Sequence, residues 1–340
     1  MKIKIIMILF TDFKTVATIE VSIQTKEKVF PMYHIIINPA SRSGKGLKIW
    51  KSQIEPALLR DNVPYRPYFS ERAGDVARLA AEITAHASET PVLLIILGGD
   101  GTVNEALHGI SDTSKVTLGY IPTGSSNDLA RDLQIPTDPT AALDLILHSG
   151  KAVSMDLGTV TYADGQKRRF AVSCGVGYDA AVCEEALHSG IKKVLNRIGL
   201  GKLTYLGIAL KQLIASREIS GKLFLDDKPP IEIGNMLFTA CMLHRFEGGG
   251  FMFCPNADAT DGILDLCAVG DISKPGILRA LPTAFKGKHY RFRGINPYRA
   301  EKVRIELSSP LWLHTDGEVT RTADRFTVTC EQAALRIICP

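Results

Sequence analysis

The segment Gly98-Gly99-Asp100-Gly101-Thr102 constrains the fold of this chain more than any other part of the sequence. It directly follows the apolar run Val92–Leu97, which is typical of a buried central strand. Its three glycines permit backbone torsions, and a close approach of the backbone to a ligand, that a side chain would block. The sequence therefore predicts a strand, then a glycine-rich turn, then a helix.

The start of that helix has a recognisable pattern. Thr102-Val103-Asn104-Glu105 fits a capping box, with Thr102 as the N-cap and Glu105 three positions later. The free backbone N–H groups of a helix N-terminus attract anions, and the neighbouring glycines leave room for one. A tight turn without a ligand is the alternative, but the acid inside the loop and the capped helix favour a phosphate-binding loop.

Two other small, polar loops follow strand candidates. Asn38–Gly46 comes after Tyr33–Ile37, and Pro122–Asp128 comes after Thr117–Ile121. The first is not a Walker A loop, because Lys45 is not followed by Ser or Thr. Each loop alone is more typical of an ordinary connection. Because the carboxyl ends of parallel strands meet at one edge of a sheet, the three loops together favour a nucleotide site.

The pattern of apolar runs changes near residue 154. Before it, strands alternate with helical stretches such as Leu47–Leu59 and Asp75–Ala87, which predicts a three-layer α/β domain with a parallel sheet. After it, strand-like segments dominate, which predicts a mainly antiparallel β-sandwich. We therefore expect a nucleotide-binding α/β domain over residues 32–153 and a β-sandwich over 154–340. Residues 1–31 form an extension whose role the sequence leaves open. The strands predicted for the second part are Val153–Tyr162, Phe170–Cys174, Gly221–Leu225, Ile231–Cys241, Leu264–Val269, Lys302–Ser308 and Phe326–Thr329.

Composition excludes several classes of protein. A net charge of +4 is too small to indicate nucleic-acid binding, and we expect none. Seven widely spaced cysteines without a C-x-x-C pair indicate reduced thiols rather than a zinc cluster or a disulfide framework. The apolar run Ile5–Phe10 is too short for a signal peptide, and no segment is long enough for a transmembrane helix. The sequence therefore predicts a cytoplasmic protein.

Five segments together resemble the diacylglycerol kinase catalytic-domain family, which includes bacterial diacylglycerol kinases, YegS-type lipid kinases and sphingosine kinases. In chain order they are INPASRSGKG at residues 37–46, GGDGTVNE at 98–105, PTGSSNDLAR at 122–131, CPNADATDGILD at 254–265 and DGE at 316–318. The resemblance spans about residues 33–320. It implies phosphate transfer from ATP to a lipid hydroxyl, in a cleft between an α/β domain and a β-sandwich domain.

The resemblance also implies which residues bind ATP. They are Asn38, Pro39, Ala40, Ser41, Arg42, Ser70, Gly98, Gly99, Gly101, Thr102, Asn104, Glu105, Gly124, Ser125 and Asn127. Ser70 stands where many relatives have Thr, and the third loop reads G-S-S-N-D where G-T-x-N-D is commoner. Both departures keep a hydroxyl group, so catalytic competence is still expected.

The acidic residues receive catalytic and metal-binding roles by the same comparison. Asp316 falls where the family places its general base, and Glu318 where it helps to organise Mg²⁺. Asp100 and Asp128 match carboxylates of the catalytic metal and water network. Oxygen ligands of this kind suit a hard cation, and phosphoryl transfer depends mainly on charge neutralisation and alignment. From the residues alone, His314–Gly317 is also typical of a hairpin tip.

A second, structural Mg²⁺ position is implied at Asp258, Asp261 and the carbonyl of Ile263. From the residues alone, Asx-turns are an equally good interpretation of the two aspartates.

Two further stretches could contact the lipid substrate or the membrane. Residues 191–217 are predicted to form an amphipathic helix, either packed on the core or acting as a flap beside an acyl-chain entrance. The basic residues 286–293 are predicted to form a solvated strand. The alternative is that they contact a membrane surface or a phosphate group. The apolar positions of the helix are Leu203, Leu206, Leu210, Leu213 and Ile214, and its basic ones Lys192, Lys193, Arg197, Lys202, Lys211 and Arg217.

We therefore expect a lipid kinase that uses ATP and Mg²⁺ and acts peripherally on a lipid substrate at a membrane surface. Diacylglycerol is the acceptor that we expect first, because it is the commonest one in the family. Other lipid acceptors, such as a sphingoid base or a phosphatidylglycerol-like lipid, remain open, as does a homodimer. An NAD kinase also carries GGDGT, but the segments at 254–265 and 316–318 argue against it. A lipid sensor or carrier that kept the fold is the non-enzymatic alternative, and the retained acidic residues argue against that.

Overall fold

The computed structural model describes residues 3–4, 20–21, 30–85, 91–188, 201–216 and 219–340, except for the side chains of residues 3–4, 20–21, 43, 187–188 and 201–206. The chain divides into two compact units, Met1–Pro31 and Met32–Pro340. In the first unit, strands β1 (Ile3–Lys4) and β2 (Glu20–Val21) pair antiparallel. The second unit contains all the other described strands and helices.

Parallel strands form the sheet of the first half of that unit, in the order β4-β3-β5-β6. Leu97 lies between Ile37 of one neighbour and Ile121 of the other in the strand register. The central strands are almost wholly buried and rich in Ile, Leu and Val, as expected where helices cover a parallel sheet. The strands are β3 (Tyr33–Ile37), β4 (Tyr65–Phe69), β5 (Val92–Gly98) and β6 (Val116–Pro122).

Helices connect these strands, and the helix predicted over residues 47–59 is a nearly continuous helical run. The run consists of α1 (Ser41–Gly44), α2 (Gly46–Ile49), a π-helical turn (Trp50–Ile54) and α3 (Glu55–Arg60). The other helical segments of this half are α4 (Asp75–Thr84), α5 (Asp100–Gly109), a 3-10 turn (Thr113–Lys115), α6 (Asp128–Asp132), α7 (Pro139–Asp144) and a π-helical turn (Leu145–Ser149). Trp50 is fully buried and packs edge-on against Tyr65 and Phe69, which anchors this run on the outermost parallel strand.

The second half is built mainly from antiparallel strands, in the order β14-β13-β12-β9-β15-β16. Strand β7 pairs with β16, and β10 pairs with β15. Its strands are β7 (Lys151–Tyr162), β8 (Lys167–Phe170), β9 (Ser173–Gly177), β10 (Gly221–Leu225), β11 (Ile231–Ile233), β12 (Phe238–Met242), β13 (Leu264–Val269), β14 (Ile295–Ala300), β15 (Lys302–Thr315) and β16 (Glu318–Cys339). Its helices are α8 (Tyr178–His188), α9 (Gly201–Ala215), α10 (Lys274–Ala284) and a 3-10 turn (His289–Arg291).

The core of this half lies between its layers of strands. Phe170, Leu223, Leu266, Val303 and Phe326, from five different strands, are all fully buried in one cluster. Burial of large side chains of this kind is the main favourable contribution to folding, at roughly 2 kcal/mol each. The predicted combination of a parallel α/β part and an antiparallel β-sandwich is confirmed.

The long strand β16 joins the two halves. Its register against β7 shifts between Glu331 and Leu335, and Ala333 there has a positive φ of 51°. The buried carboxylate of Asp156 secures this irregularity by accepting from the Ala333 N–H at 2.7 Å and from the Gly262 N–H at 2.7 Å. Beyond it, β16 pairs in parallel with β6, so the end of the chain adds a further strand to the first sheet.

Two of the expected strands are wrong. Residues 286–293 are not a strand, because Gly287 and the following residues form a turn and the 3-10 segment, in which His289 is buried. The strand expected over Ile231–Cys241 is divided by a turn at residues 234–237. The helix expected over 191–217 lies partly outside the described residues, and its described part is α9.

All seven cysteines are free thiols, and most of them are buried. Within the described residues, no helix is both long and apolar enough to cross a membrane.

Candidate active site

The loops that follow β3, β5 and β6 contact one another at the carboxyl edge of the parallel sheet. Asn38 Nδ2 donates to Thr102 Oγ1 at 3.1 Å, which joins the first loop to the second. The hydroxyl groups of Ser41 and Thr123 lie 2.8 Å apart, which joins the first loop to the third. The convergence expected from the sequence is therefore present in the structure.

The second and third loops touch backbone to backbone at Gly99 and Gly124. A Cβ at Gly124 would lie 2.7 Å from the Cα of Gly99, and one at Gly99 would lie 3.0 Å from the Cα of Gly124. Asn127 holds the third loop in this position, since its Oδ1 accepts from the Gly124 N–H at 2.9 Å and its Nδ2 donates to the Gly124 carbonyl at 3.1 Å. Space alone therefore requires both glycines.

Helix α5 begins earlier than the capping-box pattern predicts. Gly99 is the N-cap, and its carbonyl accepts from the N–H of Thr102 at 2.9 Å and of Val103 at 3.2 Å. Thr102 is therefore inside the first turn, where its Oγ1 accepts from the Gly99 N–H at 3.3 Å. Glu105 caps a different helix: its Oε1 accepts from the Gly74 and Val76 N–H groups at 2.6 and 3.1 Å, at the start of α4. The anion-attracting end of α5 thus lies at Asp100 and Gly101.

The remaining residues predicted to bind ATP stand on the same loops or beside them. Ser70 directly follows β4, and its Oγ lies 3.5 Å from the carbonyl of Ile37. The Ala40 N–H donates to Asn38 Oδ1 at 3.0 Å, which closes a tight turn around Pro39. Arg42 and Ser125 extend from the first and third loops; Ser125 is exposed, and Arg42 has a positive φ of 52°.

The carboxylate of Asp100, in the glycine-rich loop, lies beside Asp128 of the third loop. Asp100 accepts from the Tyr120 hydroxyl at 3.2 Å and from the Asp128 N–H at 2.9 Å. Burial raises the pKa of Asp100 to about 6, and the charges of Asp128 and Asp316 add to the shift. Burial also raises the pKa of Asp128. Arg131 pairs with the Asp128 carboxylate, whereas the described residues form no ion pair with Asp100. The negative charge of Asp100 suits a divalent cation with oxygen ligands.

Asp316 and Gly317 form the two-residue turn that joins β15 to β16. Both have positive φ, 50° and 81°, and Thr315 pairs with Glu318 across the turn. A two-residue hairpin loop with positive φ at both positions is a type I′ turn, for which Asp-Gly is strongly favoured. The hairpin tip expected from the sequence is present, with the Asp316 side chain at its first position.

The Asp316 carboxylate connects the β-sandwich to helix α5. Its Oδ1 accepts from the N–H groups of Val172 and Ser173 at 2.8 and 3.0 Å. Its Oδ2 accepts from the Ala171 N–H at 2.9 Å and from Asn104 Nδ2, on α5, at 2.8 Å. All four lone-pair positions of an ionised carboxylate are thus engaged. The general base implied by the family resemblance is held rigidly in this arrangement.

Glu318 lies against the glycine-rich loop at residues 98–102. A Cβ added to Gly101 would lie 3.0 Å from Glu318 Oε1. Glycine at position 101 therefore allows a carboxylate from the second half of the chain to approach the first turn of α5. Asp100, Asp316 and Glu318 come together from segments more than 200 residues apart in the sequence.

Comparison with known proteins agrees with this geometry. The family model for the diacylglycerol kinase catalytic domain matches residues 32–160, and the model for the YegS C-terminal NAD kinase beta sandwich-like domain matches residues 172–339. The chain belongs to the diacylglycerol kinase catalytic-domain family. Together the two matches account for both halves of the second unit.

Individual relatives are similar over nearly the whole chain. A diacylglycerol kinase of Mycobacterium tuberculosis is 29% identical over 308 residues, covering 90% of this chain and 94% of that protein. A diacylglycerol kinase of Bacillus subtilis is 28% identical over 295 residues, covering 84% of this chain and 88% of that one. A crystal structure of a diacylglycerol kinase from Bacillus anthracis aligns with a TM-score of 0.66 at 20% identity, over 92% of this chain and 98% of that chain. The structural likeness shows a shared fold.

Sequence reasoning missed Arg168, which orients the junction between the halves of this diacylglycerol kinase family member. Its Nε donates to Thr315 Oγ1 at 2.6 Å, beside Asp316, and its NH2 group donates to Asn104 Oδ1 at 3.3 Å. With Oδ1 held by the guanidinium, the Asn104 amide must present Nδ2 to Asp316. No local pattern identifies Arg168, because its partners are distant in sequence.

The sequence also gave no sign of the group Asp179, Glu247 and His314. His314 is fully buried, and its Nε2 lies 3.2 Å from Asp179 Oδ2 and 3.0 Å from Glu247 Oε1. Its Nδ1 accepts from the Gly317 N–H at 3.1 Å, which leaves the ring proton on Nε2, facing the carboxylates. A metal at Nε2 would force that proton onto Nδ1, against the Gly317 N–H. The group therefore serves to hold the Asp-Gly turn.

The predicted structural Mg²⁺ position is occupied by turn and ion-pair contacts. Asp258 Oδ1 accepts from the N–H and hydroxyl of Thr260 at 3.0 and 2.7 Å, and Asp261 Oδ1 accepts from the Ile263 N–H at 3.0 Å. Asp261 Oδ2 also pairs with Arg299. Both aspartates make the Asx-turns that the sequence left open. The metal at this position stays a prediction.

Proposed function

We propose that this protein transfers the γ-phosphate of ATP to the free hydroxyl of diacylglycerol, forming phosphatidic acid. One observation carries the proposal: the Asp316–Glu318 hairpin of the β-sandwich lies on the first turns of α5. Asn104 Nδ2 donates to Asp316 Oδ2 at 2.8 Å, and Glu318 Oε1 lies against Gly101. A carboxylate suited to an acceptor hydroxyl is thereby placed beside a loop suited to the phosphate donor.

The residues present fit ATP and Mg²⁺. The N-terminus of α5, at Asp100 and Gly101, offers N–H donors for phosphate groups. The carboxylates of Asp100 and Glu318 would hold the cation, and Asp128, which pairs with Arg131, stands beside them. When bound, Mg²⁺ would neutralise charge on the phosphates during transfer.

The transfer is an in-line displacement. The acceptor oxygen bonds to the γ-phosphorus, the bond from that phosphorus to the bridging oxygen breaks, and ADP leaves with the electron pair. The hydroxyl proton passes to Asp316. Because all four lone-pair positions of Asp316 are engaged, one donor must be released first. The bond from Asn104 is the one that comes from the opposite half of the site, so a small separation of the halves would release it.

We also propose that the enzyme is cytoplasmic and acts peripherally at a membrane. Free thiols at all seven cysteines support a reducing compartment. The acceptor is a lipid that resides in a bilayer, and the described residues offer no helix able to span one.

An acceptor panel tests the proposal. Purified protein, Mg²⁺ and ATP labelled in the γ-phosphate are incubated separately with dioctanoylglycerol, a sphingoid base, phosphatidylglycerol and NAD. We expect label in phosphatidic acid, and loss of that product with Asp316→Asn purified in parallel, which controls for a contaminating host kinase. Label in NAD alone would refute the lipid assignment, and label in another lipid alone would refute diacylglycerol.

A further inference from the structure

A single stretch of the β-sandwich half concentrates positive charge. Residues 272–300 contain no Asp or Glu, although acids and bases are nearly balanced in the whole sequence. Six of its seven basic residues are exposed and have no ion pair within the described part of the chain. The six are Lys274, Arg279, Lys286, Lys288, Arg291 and Arg293. The seventh, Arg299, pairs with acids outside the stretch.

Large apolar side chains are exposed among these cations. Leu278 on α10 is 46% exposed, and Phe285 at the end of that helix is 50% exposed. Ile214 on α9 is 76% exposed and belongs to the same surface, because Lys274 Nζ donates to its carbonyl at 2.7 Å. We call this surface, residues 272–293 with Ile214, the basic face. Exposed apolar side chains interspersed with Lys and Arg match the interfacial zone of an anionic bilayer.

The basic face is connected to the catalytic carboxylates by direct contacts. The ring of Phe285 stacks on that of Phe251 at 4.1 Å between centroids. Phe251 and Glu247 pair backbone to backbone across a turn of three consecutive glycines. Within that turn, the Gly249 N–H donates to Asp128 Oδ2 at 2.8 Å. A surface held against a bilayer here would lie next to the site that must receive a lipid hydroxyl.

We propose that the basic face is the surface by which this protein docks on anionic membranes. The proposal rests on the proposed function only for the identity of the lipid acceptor, since docking itself needs no catalysis. A second copy of the chain is a poor occupant, because a two-fold contact would bring six uncompensated cations against six. Exposed Leu, Phe and Ile side chains argue for acyl chains, not a nucleic-acid backbone.

Vesicle co-sedimentation tests the proposal. The full chain is mixed with vesicles of phosphatidylcholine alone, or of phosphatidylcholine and phosphatidylglycerol in equal amounts. We expect preferential, salt-sensitive binding to the anionic vesicles. Each neutralised cation should weaken binding about fivefold, so the triple variant R279Q/K286Q/K288Q should lose about a hundredfold. The matched control K48Q/K51Q/K228Q removes three exposed cations elsewhere and should bind like the wild type.

An apolar pair tests the same surface independently of charge. Leu278→Ser should weaken vesicle binding about tenfold, whereas Leu59→Ser, which alters a 62% exposed leucine in the nucleotide-binding half, should have no effect. Phosphorylation of dioctanoylglycerol in solution should be unchanged in all of these variants.

Three results would decide against docking by this face: equal binding to both vesicle types, unchanged binding of the triple variant, or a dimer that Leu278→Ser disperses without any vesicle binding. Vesicle binding that depends on the basic face, without phosphate transfer to dioctanoylglycerol, would support docking and refute the proposed function.

Discussion

Replacing Asp100 with Asn should stabilise the ligand-free protein even as it removes activity. Asp100 accepts from the Tyr120 hydroxyl and from the Asp128 N–H, while its charge is opposed by burial and by Asp128 and Asp316. An Asn side chain can keep both hydrogen bonds, because its oxygen accepts from the Asp128 N–H and its NH₂ group can donate to the tyrosine oxygen. The substitution therefore removes the charge with little loss of contacts.

The magnitude follows from the pKa of Asp100. A shift from 3.8 to about 6 corresponds to about 3 kcal/mol, at about 1.4 kcal/mol per pKa unit. The carboxylate is partly exposed, so solvent screening reduces the expected gain to about 2 kcal/mol. Because the folded pKa is the higher one, the cost of ionisation is absent below the unfolded pKa of 3.8 and fully present above about 6. The gain should therefore grow as pH rises through this window.

Urea unfolding of the wild type and Asp100→Asn, at about pH 8 and about pH 4, measures this directly. We expect the variant to be more stable at the higher pH and nearly equal to the wild type at the lower. Asp112→Asn is the control, since hydrogen bonds from Ser114 lower the pKa of that exposed carboxyl and its loss should bring no gain. Titration with Mg²⁺ and ATP should show weakened binding by Asp100→Asn. If Asp100→Asn is no more stable than the wild type at about pH 8, the Asp100 charge does not destabilise the fold. If the variant keeps the wild-type affinity and rate, Asp100 does not help to bind the metal.

The remaining predictions concern the transfer step and the crevice. Asp316→Asn should lower kcat at least about a hundredfold while ATP affinity measured by calorimetry changes little, and an unchanged kcat would reject Asp316 as the base. Gly124→Ala should raise the KM for ATP about tenfold or more, because its Cβ would meet Gly99 Cα at 2.7 Å; Gly207→Ala, in open space on α9, is the control and should leave KM unaltered. Chelation of Mg²⁺ should abolish transfer, and re-addition should restore it; activity that persists in excess chelator would contradict the metal requirement.

Local patterns were sufficient to predict the strands of the parallel sheet and the meeting of the three loops. Short apolar runs followed by Gly, Ser and Asn identify β3, β5 and β6, and parallel strands must place their following loops at one edge. The Asp-Gly pair at 316–317 likewise predicts its own turn, since both residues tolerate positive φ. In each case the signal and the structure involve residues that are close in sequence.

Local sequence patterns gave wrong predictions where one pattern is compatible with more than one structure. Thr102 and Glu105 fit a capping box, yet Thr102 is bound by Asn38 and Glu105 caps α4, so the helix begins at Asp100. Residues 286–293 alternate like a strand, yet the positive φ of Gly287 turns the chain. Tertiary contacts decided each outcome.

Contacts between distant segments leave no local signature at all. Asp316 accepts hydrogen bonds from Asn104 and Ala171, which lie far from it in the sequence. Arg168 donates to Asn104 and to Thr315, on the two sides of this contact. The parallel pairing of β16 with β6 is equally distant in sequence. These features needed the folded structure.

Mass spectrometry of the lipid product tests whether the γ-phosphate passes to the diacylglycerol hydroxyl. ATP carrying oxygen-18 at the three terminal oxygens of its γ-phosphate is incubated with Mg²⁺, dioctanoylglycerol and the protein. We predict phosphatidic acid that retains all three labelled oxygens and the unlabelled hydroxyl oxygen of the acceptor, because the acceptor attacks phosphorus. Label found only in inorganic phosphate or in a nucleotide, with the lipid unchanged, would contradict it.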